Sequence, residues 1–133
     1  MIFKKNVLIL GASGMLGIEV VRELIKKKNI NLYVSIRNLK DKKLILKYLD
    51  SNISGLKFYK FKIEGNSQTI LKKITKNKQY IVNCIGIIKP YIHEENHLSI
   101  ENALKVNSNF PHMLKNCVAE KVKIFQIATD CVY

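Results

Sequence analysis

The stretch from Val7 to Gly17 constrains this chain more than any other. Four consecutive apolar residues, Val7-Leu8-Ile9-Leu10, run without a break into Gly11-Ala12-Ser13-Gly14-Met15-Leu16-Gly17. A strand with no polar alternation has to be buried on both faces, as in a parallel sheet covered by helices. From Met15 to Lys28, Leu16, Val20 and Leu24 recur at helical spacing, with Val21 and Ile25 one step off the stripe. The chain therefore passes from buried strand to helix through a turn in which every third residue lacks a side chain. Gly11 permits the tight turn, Gly14 lets backbone amides approach a pyrophosphate, and Gly17 lets the helix press against the strand. The unpaired amides and positive dipole end of such a helix attract phosphates. The strict G-x-G-x-x-G spacing is absent, and a glycine turn can be purely structural. The strand-turn-helix context is what favours phosphate binding.

The rest of the chain continues the alternation. Leu32–Ile36 reads as a second strand, and Leu39–Leu49 as a helix with Leu46 and Leu49 on one side. Leu56–Ile63 reads as a third strand, with Ile70, Leu71 and Ile74 marking a short helix after it. Tyr80–Ile85 and Lys123–Ala128 are the fourth and fifth strands, joined by a long helix from about Leu98 to Glu120. Strands alternating with amphipathic helices predict an α/β fold of Rossmann type, a doubly wound parallel sheet. Right-handed crossovers leave few topologies. The expected strand order is 3-2-1-4-5, with a ligand crevice where strands 1 and 4 diverge. No internal repeat or Pro/Gly/Ser-rich linker divides residues 1–133, which read as one domain.

Composition bounds the function classes. Hydrophobic residues at 47% and charged residues at 25% are ordinary for a globular protein. No apolar run approaches the ~20 residues of a membrane span, and the opening residues lack a signal peptide's apolar region. The expectation is a cytoplasmic protein without a membrane partner. Cys84, Cys117 and Cys131 show no C-x-x-C spacing and sit in apolar stretches, so buried thiols are expected rather than a disulfide or a metal. The net charge of +13 is almost all lysine, since Arg22 and Arg37 are the only arginines. A nucleic-acid surface would carry such charge. Lysines spread along most of the chain, without interleaved exposed aromatics or a nucleic-acid motif, instead read as a solvated shell and no nucleic-acid partner.

The end of strand two decides between cofactors. An acid there would bind the ribose 2′-hydroxyl of NAD, whereas an arginine accommodates the 2′-phosphate of NADP. The segment is Val34-Ser35-Ile36-Arg37-Asn38, with no acid until Asp41. Arg37, helped by Ser35 and Lys40, is the candidate 2′-phosphate ligand, so NADP is favoured over NAD.

Gly11-x-x-Gly14-x-x-Gly17 after strand one resembles the glycine pattern of the short-chain dehydrogenases/reductases. Asn83-Cys84-Ile85-Gly86 resembles the N-x-x-[AG] stretch that ends their fourth strand and lines the cofactor. Asn107 resembles their helix asparagine, and Ile127-Ala128-Thr129-Asp130-Cys131-Val132-Tyr133 resembles the [ST]-T-D-x-V-[FY] run ending strand five. Together with Gly-Ala-Ser-Gly-Met-Leu-Gly, that run is most similar to the extended branch acting on nucleotide sugars, in particular the dTDP-4-dehydrorhamnose reductase group. The resemblance implies that Gly11, Ser13, Gly14, Met15, Leu16, Gly17, Arg37, Ile63, Asn83, Gly86 and Asn107 line an NAD(P) cofactor. It also implies a nucleotide-sugar substrate and a possible homodimer. In this family hydride moves between nicotinamide and a carbonyl carbon, a Tyr donates the proton, and a Lys lowers its pKa. Thr129 matches the Ser/Thr that polarises the carbonyl. The Tyr-x-x-x-Lys pair would lie beyond Tyr133, which falls at a packing position. The chain is thus expected to be a truncated, inactive part of a longer enzyme, without its substrate domain. Where the family commonly has an Asp contacting adenine after strand three, this chain has Lys62, followed by Ile63 and Glu64.

Independently of the family, Asn107 lies within an apolar stripe of Ile100, Leu104, Pro111, Leu114 and Val118 and must find partners there. Pro111 offers no amide to the Asn107 carbonyl, so the helix is expected to open at this turn. The readings are a water or side-chain site near the active centre, and a kink with a satisfied asparagine. Three competing functions stand beside the reductase. An epimerase or dehydratase of the same family would share this N-terminal half, and a non-catalytic NAD(P)-binding regulator would share the fold. His93-Glu94-Glu95-Asn96-His97 also fits the H-E-x-x-H zinc protease motif, which needs both histidines on one helix face. The charged Glu95, and the absence of the longer continuation with a third histidine, argue against zinc.

Overall fold

The computed structural model describes residues 3–49, 53 and 55–127. Five strands, β1 (Lys5–Leu10), β2 (Ile30–Ile36), β3 (Lys57–Lys60), β4 (Tyr80–Asn83) and β5 (Lys123–Gln126), form one sheet. Their order is β3-β2-β1-β4-β5, as expected, and every neighbouring pair is parallel. The helices are α1 (Met15–Leu24), α2 (Leu39–Tyr48), α3 (Ser67–Thr75), α4 (His97–Leu104) and α5 (Phe110–Cys117).

The unbroken apolar run of β1 is buried on both faces. Val7 and Ile9 join Leu32, Val34 and Ile36 under Ile18 and Val21 of α1 and Ile45 of α2. Leu8 and Leu10 face the opposite way, with Tyr33 and Ile81, toward Leu71 and Ile74 of α3 and Phe110 and Leu114 of α5. Each such side chain contributes about 1.5–3 kcal/mol on burial, which makes this central strand the anchor of the fold. Ile9 lies level with Val34 on one side and Val82 on the other. The carboxyl ends of β1, β2 and β4 therefore open onto a common edge. The chain leaves β1 for the α1 face and reaches β4 through α3 on the other face, so the two exits diverge.

One expectation needs correction, and another is incomplete. On α2 Leu46 and Leu49 are half-buried, Leu49 packed against the core, but the buried positions are Asp41 and Ile45, one turn apart. The cap set by Asn38 fixes the rotation of α2, as described below. The expected long helix is α4 and α5 joined by a wide π turn, Lys105–Asn109, in which the Phe110 N–H bonds the Lys105 carbonyl five residues back. It ends at Cys117. The opening falls just before Pro111, whose missing amide leaves the ladder incomplete there. The wide turn interrupts the periodicity on which the apolar stripe was read. Ala103, Val106, Phe110 and Leu114 are buried, whereas Ile100 and Leu104 are 37% and 58% exposed. Among the described residues no helix is long and apolar enough to cross a membrane.

Candidate functional site

The glycine turn sits at the carboxyl edge of β1. Gly11 has φ +76°, and a Cβ there would lie 2.9 Å from both the side chain and the backbone nitrogen of Ile85. Its N–H donates to Ser35 Oγ at 3.0 Å. The Gly14 N–H returns to the Gly11 carbonyl at 3.1 Å, closing the turn. A Cβ on Gly17 would run into that same carbonyl oxygen and reach within 3.0 Å of the Ala12 Cα. Gly11 and Gly17 thus each have a distinct packing reason, while a Cβ on Gly14 would come no closer than 3.4 Å to the Gly11 carbonyl oxygen. Gly14 caps α1 with extended backbone, no side chain caps the helix, and its first turn carries no acid. The first amides of a helix have no intrahelical acceptor. Here they face an edge left open by the glycines. Met15 and Leu16 are 84% and 48% exposed, so what they offer an anion is backbone.

Ser35 corrects an expectation. It is buried at the end of β2, and its hydroxyl holds the Gly11 amide. It shapes the turn and is not placed to meet a 2′-phosphate. Arg37 lies just beyond it, with its side chain 68% exposed. Its Nε and Nη2 reach the Asp41 carboxylate at 3.2 and 3.4 Å, and its backbone N–H donates to the same carboxylate at 2.8 Å. The Asn38 side chain in turn accepts the Asp41 N–H at 3.0 Å, a reciprocal cap for α2. Burial opposes ionisation of Asp41. Hydrogen bonds from the Arg37 side chain and backbone, the Arg37 charge and the Ser13 hydroxyl overcome it and hold the carboxyl below its usual range. Arg37, a sequence candidate, is therefore held by Asp41. Sequence reading passed over that residue as an acid too late to bind ribose. Its signal was the spacing Asn38-x-x-Asp41.

The β4 exit forms the other wall. Asn83 is fully buried. Its Oδ1 accepts the Ile85 N–H at 3.1 Å, and its Nδ2 donates to Gln126 Oε1 at 2.8 Å. The side chain supports the wall from behind, and Gly86 is exposed beyond it. Asn107 clamps a single peptide group. Its Oδ1 accepts the Ile87 N–H and its Nδ2 donates to the Ile87 carbonyl, both at 2.8 Å. Asn107 is therefore satisfied, but it is exposed and not the core asparagine that the apolar stripe predicts. Burial pushes the Cys84 thiol up to about 11, which keeps it protonated at neutral pH. After β3, Ile63 packs against the core. The buried Ser67 hydroxyl accepts the Glu64 N–H at 2.6 Å and bonds the Lys62 carbonyl at 3.1 Å, fixing that bend. Lys62 pairs with Glu64 at 3.6 Å on the surface.

The remaining candidates separate from this edge. His97 opens α4, but His93 precedes the helix in a turn whose amide bonds Ser99 Oγ. The two histidines are not on successive turns of one helix. Among the described residues no group of three His, Cys, Asp or Glu could hold a metal. The zinc protease reading therefore fails. Thr129 lies outside the described residues. A cavity of about 560 Å³ lies at the opposite, amino-terminal edge of the sheet, with Lys72, Lys76 and Lys121 among its lining. It is remote from the glycine turn, and its Asn6 side chain is already engaged with Asn77.

A parallel sheet ordered 3-2-1-4-5, with a glycine-shaped helix start at its switch point, defines an α/β domain of the Rossmann type. No family model and no curated protein matches the chain. Solved structures do, among them an epimerase, a ketoreductase and several dehydrogenases. UDP-glucuronic acid 4-epimerase from Bacillus cereus, solved with NAD and a fluorinated UDP-glucuronic acid, is 18% identical with a TM-score of 0.74, over 96% of this chain and 41% of that one. A short-chain dehydrogenase/reductase from Serratia marcescens is 13% identical with a TM-score of 0.76, over 97% and 57%. The bulky-bulky ketone specific alcohol dehydrogenase from Comamonas testosteroni is 17% identical with a TM-score of 0.77, over 95% and 55%. At such identities the likeness is one of fold. The chain spans about half the length of these structures.

Proposed function

We propose that this chain is the dinucleotide-binding part of an NAD(P)-dependent oxidoreductase of the short-chain dehydrogenase/reductase type. The observation that carries the reading is the start of α1. It is uncapped, free of acid, and made approachable by three glycines of which two would collide with backbone if they bore a side chain. The residues present fit the cofactor. The amides of Met15 to Gly17 would hold the pyrophosphate, Ser13 and Arg37 would flank the adenosine ribose, and Ile85 to Ile87, fixed by Asn83 and Asn107, would border the nicotinamide end. When bound, the nicotinamide gives or takes a hydride. The chain's own work is to bind and orient, and Thr129 is the candidate to polarise a carbonyl in the whole protein.

NADPH is the favoured cofactor because Arg37 is exposed at the strand exit and no carboxylate is aimed at the ribose without it. Reduction of a keto group on a nucleotide sugar, in the manner of the dTDP-4-dehydrorhamnose reductases, is the proposed reaction of the whole protein. The likeness to UDP-glucuronic acid 4-epimerase favours an epimerase as the second reading. Calorimetric titration of the chain with NADPH and NADH tests the cofactor. Binding of both, tighter for NADPH, supports the proposal, and heat from neither refutes it. Supplying the whole protein with NADPH and dTDP-4-dehydrorhamnose separates reductase from epimerase, since only the reductase consumes the cofactor.

A further inference from the structure

Arg37 is a poor phosphate ligand on its own, because a long exposed side chain must surrender its rotamer freedom to bind. In this chain the guanidinium already has a partner. Asp41 takes the edge formed by Nε and Nη2. A guanidinium has five N–H donors, so engaging that edge leaves the end formed by its two terminal nitrogens with donors to spare. Asp41 is itself fixed. Its residue is only 7% exposed, its carboxylate also accepts the Arg37 backbone N–H, and its own N–H is held by Asn38. The carboxylate therefore sits on the first turn of α2, and Arg37 is tethered to it.

Resting on the dinucleotide reading above, we propose that Asp41 is a positioning residue for 2′-phosphate recognition, holding one edge of Arg37 so that the other is presented to the phosphate. An acid that lies too far past the strand exit to bind the ribose thus serves NADP selectivity through the arginine. Its charge would also repel a phosphate placed next to it. The guanidinium standing between them, bonded to both, decides the sign in favour of binding.

The test needs only the adenosine end of the cofactor. Adenosine 2′,5′-bisphosphate, 5′-AMP (which lacks only the 2′-phosphate) and 5′-ADP are titrated calorimetrically into the 133-residue chain and its variants. The parent binds the bisphosphate more tightly than 5′-AMP, and Arg37→Ala lowers that affinity about 10- to 100-fold while leaving 5′-AMP and 5′-ADP nearly unchanged. Asp41→Asn retains an oxygen for the Arg37 amide. It lowers bisphosphate affinity about three- to tenfold, the worth of one immobilised side chain, without a matching loss for 5′-ADP. Asp41→Ser, which also keeps an acceptor, gives the same split should the Asn variant not fold. In an Arg37→Ala background Asp41→Asn causes no further loss, and removing the unscreened carboxylate charge raises bisphosphate affinity slightly. Equal losses for all three ligands, a bisphosphate affinity that rises in Asp41→Asn alone, or a loss that persists without Arg37 would each overturn the proposal. A parent that binds 5′-ADP but gains nothing from the 2′-phosphate overturns it while leaving the dinucleotide site intact. A parent that binds none of the three removes the site itself.

Discussion

Replacing Gly17 with alanine gives α1 a residue that helices prefer and takes away the contact that seats the helix. On propensity alone the change stabilises by about 1 kcal/mol. Against this stands the added methyl, which would overlap the Gly11 carbonyl oxygen and lie 2.9 Å from the Gly11 carbonyl carbon and 3.0 Å from the Ala12 Cα. All three are backbone atoms of a turn held by Ser35 and Ile85, so none can rotate away. Overpacking costs about 1–3 kcal/mol, and contact with backbone on every side places this site at the upper end. The net expectation is a loss of about 2 kcal/mol, or roughly 8 °C in the melting temperature of a domain this size. Urea unfolding followed by circular dichroism measures it. Gly65→Ala is the control, since a Cβ at Gly65 meets nothing within 4 Å. It should stay within about 0.5 kcal/mol of the parent. A Gly17→Ala chain as stable as its parent would mean that helix and turn are not in contact, and the argument for a backbone-lined phosphate site would lose its base.

Gly14→Asp separates binding from folding. A Cβ at Gly14 comes no closer than 3.4 Å, to the Gly11 carbonyl oxygen, so stability should change little, whereas the carboxylate should abolish NADPH binding by calorimetry. Asn107→Ala removes two hydrogen bonds to one peptide and should cost about 1–3 kcal/mol. Faster hydrogen exchange at the Ile87 amide than at strand amides would show the loss to be local. Asp41 sets a pH dependence. Its folded pKa is depressed, so its ionised form stabilises the fold above the unfolded pKa, and this contribution is lost as pH falls through the folded value. The urea midpoint should therefore drop as pH falls below about 5 and on through the folded value, and should drop less in Asp41→Asn. Identical acid limbs in the two chains would show that the Arg37 pairing carries no stability.

Element types and their order were legible because β1 and its neighbours are buried on both faces, and continuous apolar runs are the direct signature of that burial. The glycine turn was legible for a related reason, since its contacts exclude side chains and sequence records such exclusion as glycine. What escaped reading depended on rotation about a helix axis. Leu46 and Leu49 fit a stripe, but the Asn38–Asp41 cap fixes α2 so that Ile45 faces the sheet. Ile100 and Leu104 fit another stripe, and the wide turn before Pro111 interrupts it. Ser35 and Asp41 were misread because position along the strand does not say where a short polar side chain points. One turned inward to the Gly11 amide, the other back to Arg37.

The turn between Gly11 and Gly17 is fixed by the protein before any ligand arrives. The Ser35 hydroxyl holds its first amide, the Ile85 backbone and side chain wall off its positive-φ corner, and α1 presses on its carbonyl. These constraints come from β2, β4 and the helix itself, three elements that the parallel register brings level at one edge. A loop ordered in this way gives up little conformational entropy on binding, so the attraction between helix amides and an anion is retained as affinity instead of being offset by ordering. The same logic extends outward to Arg37, an exposed cation at this edge that the fold has already tied to a buried carboxylate. It predicts a specific weakness. Loosening any one of the three constraints, Ser35→Ala being the mildest, should raise the turn's mobility and weaken ADP binding by more than it lowers stability. An affinity loss in Ser35→Ala no larger than its stability loss, measured on the same preparation, would show that the turn orders only when a ligand arrives.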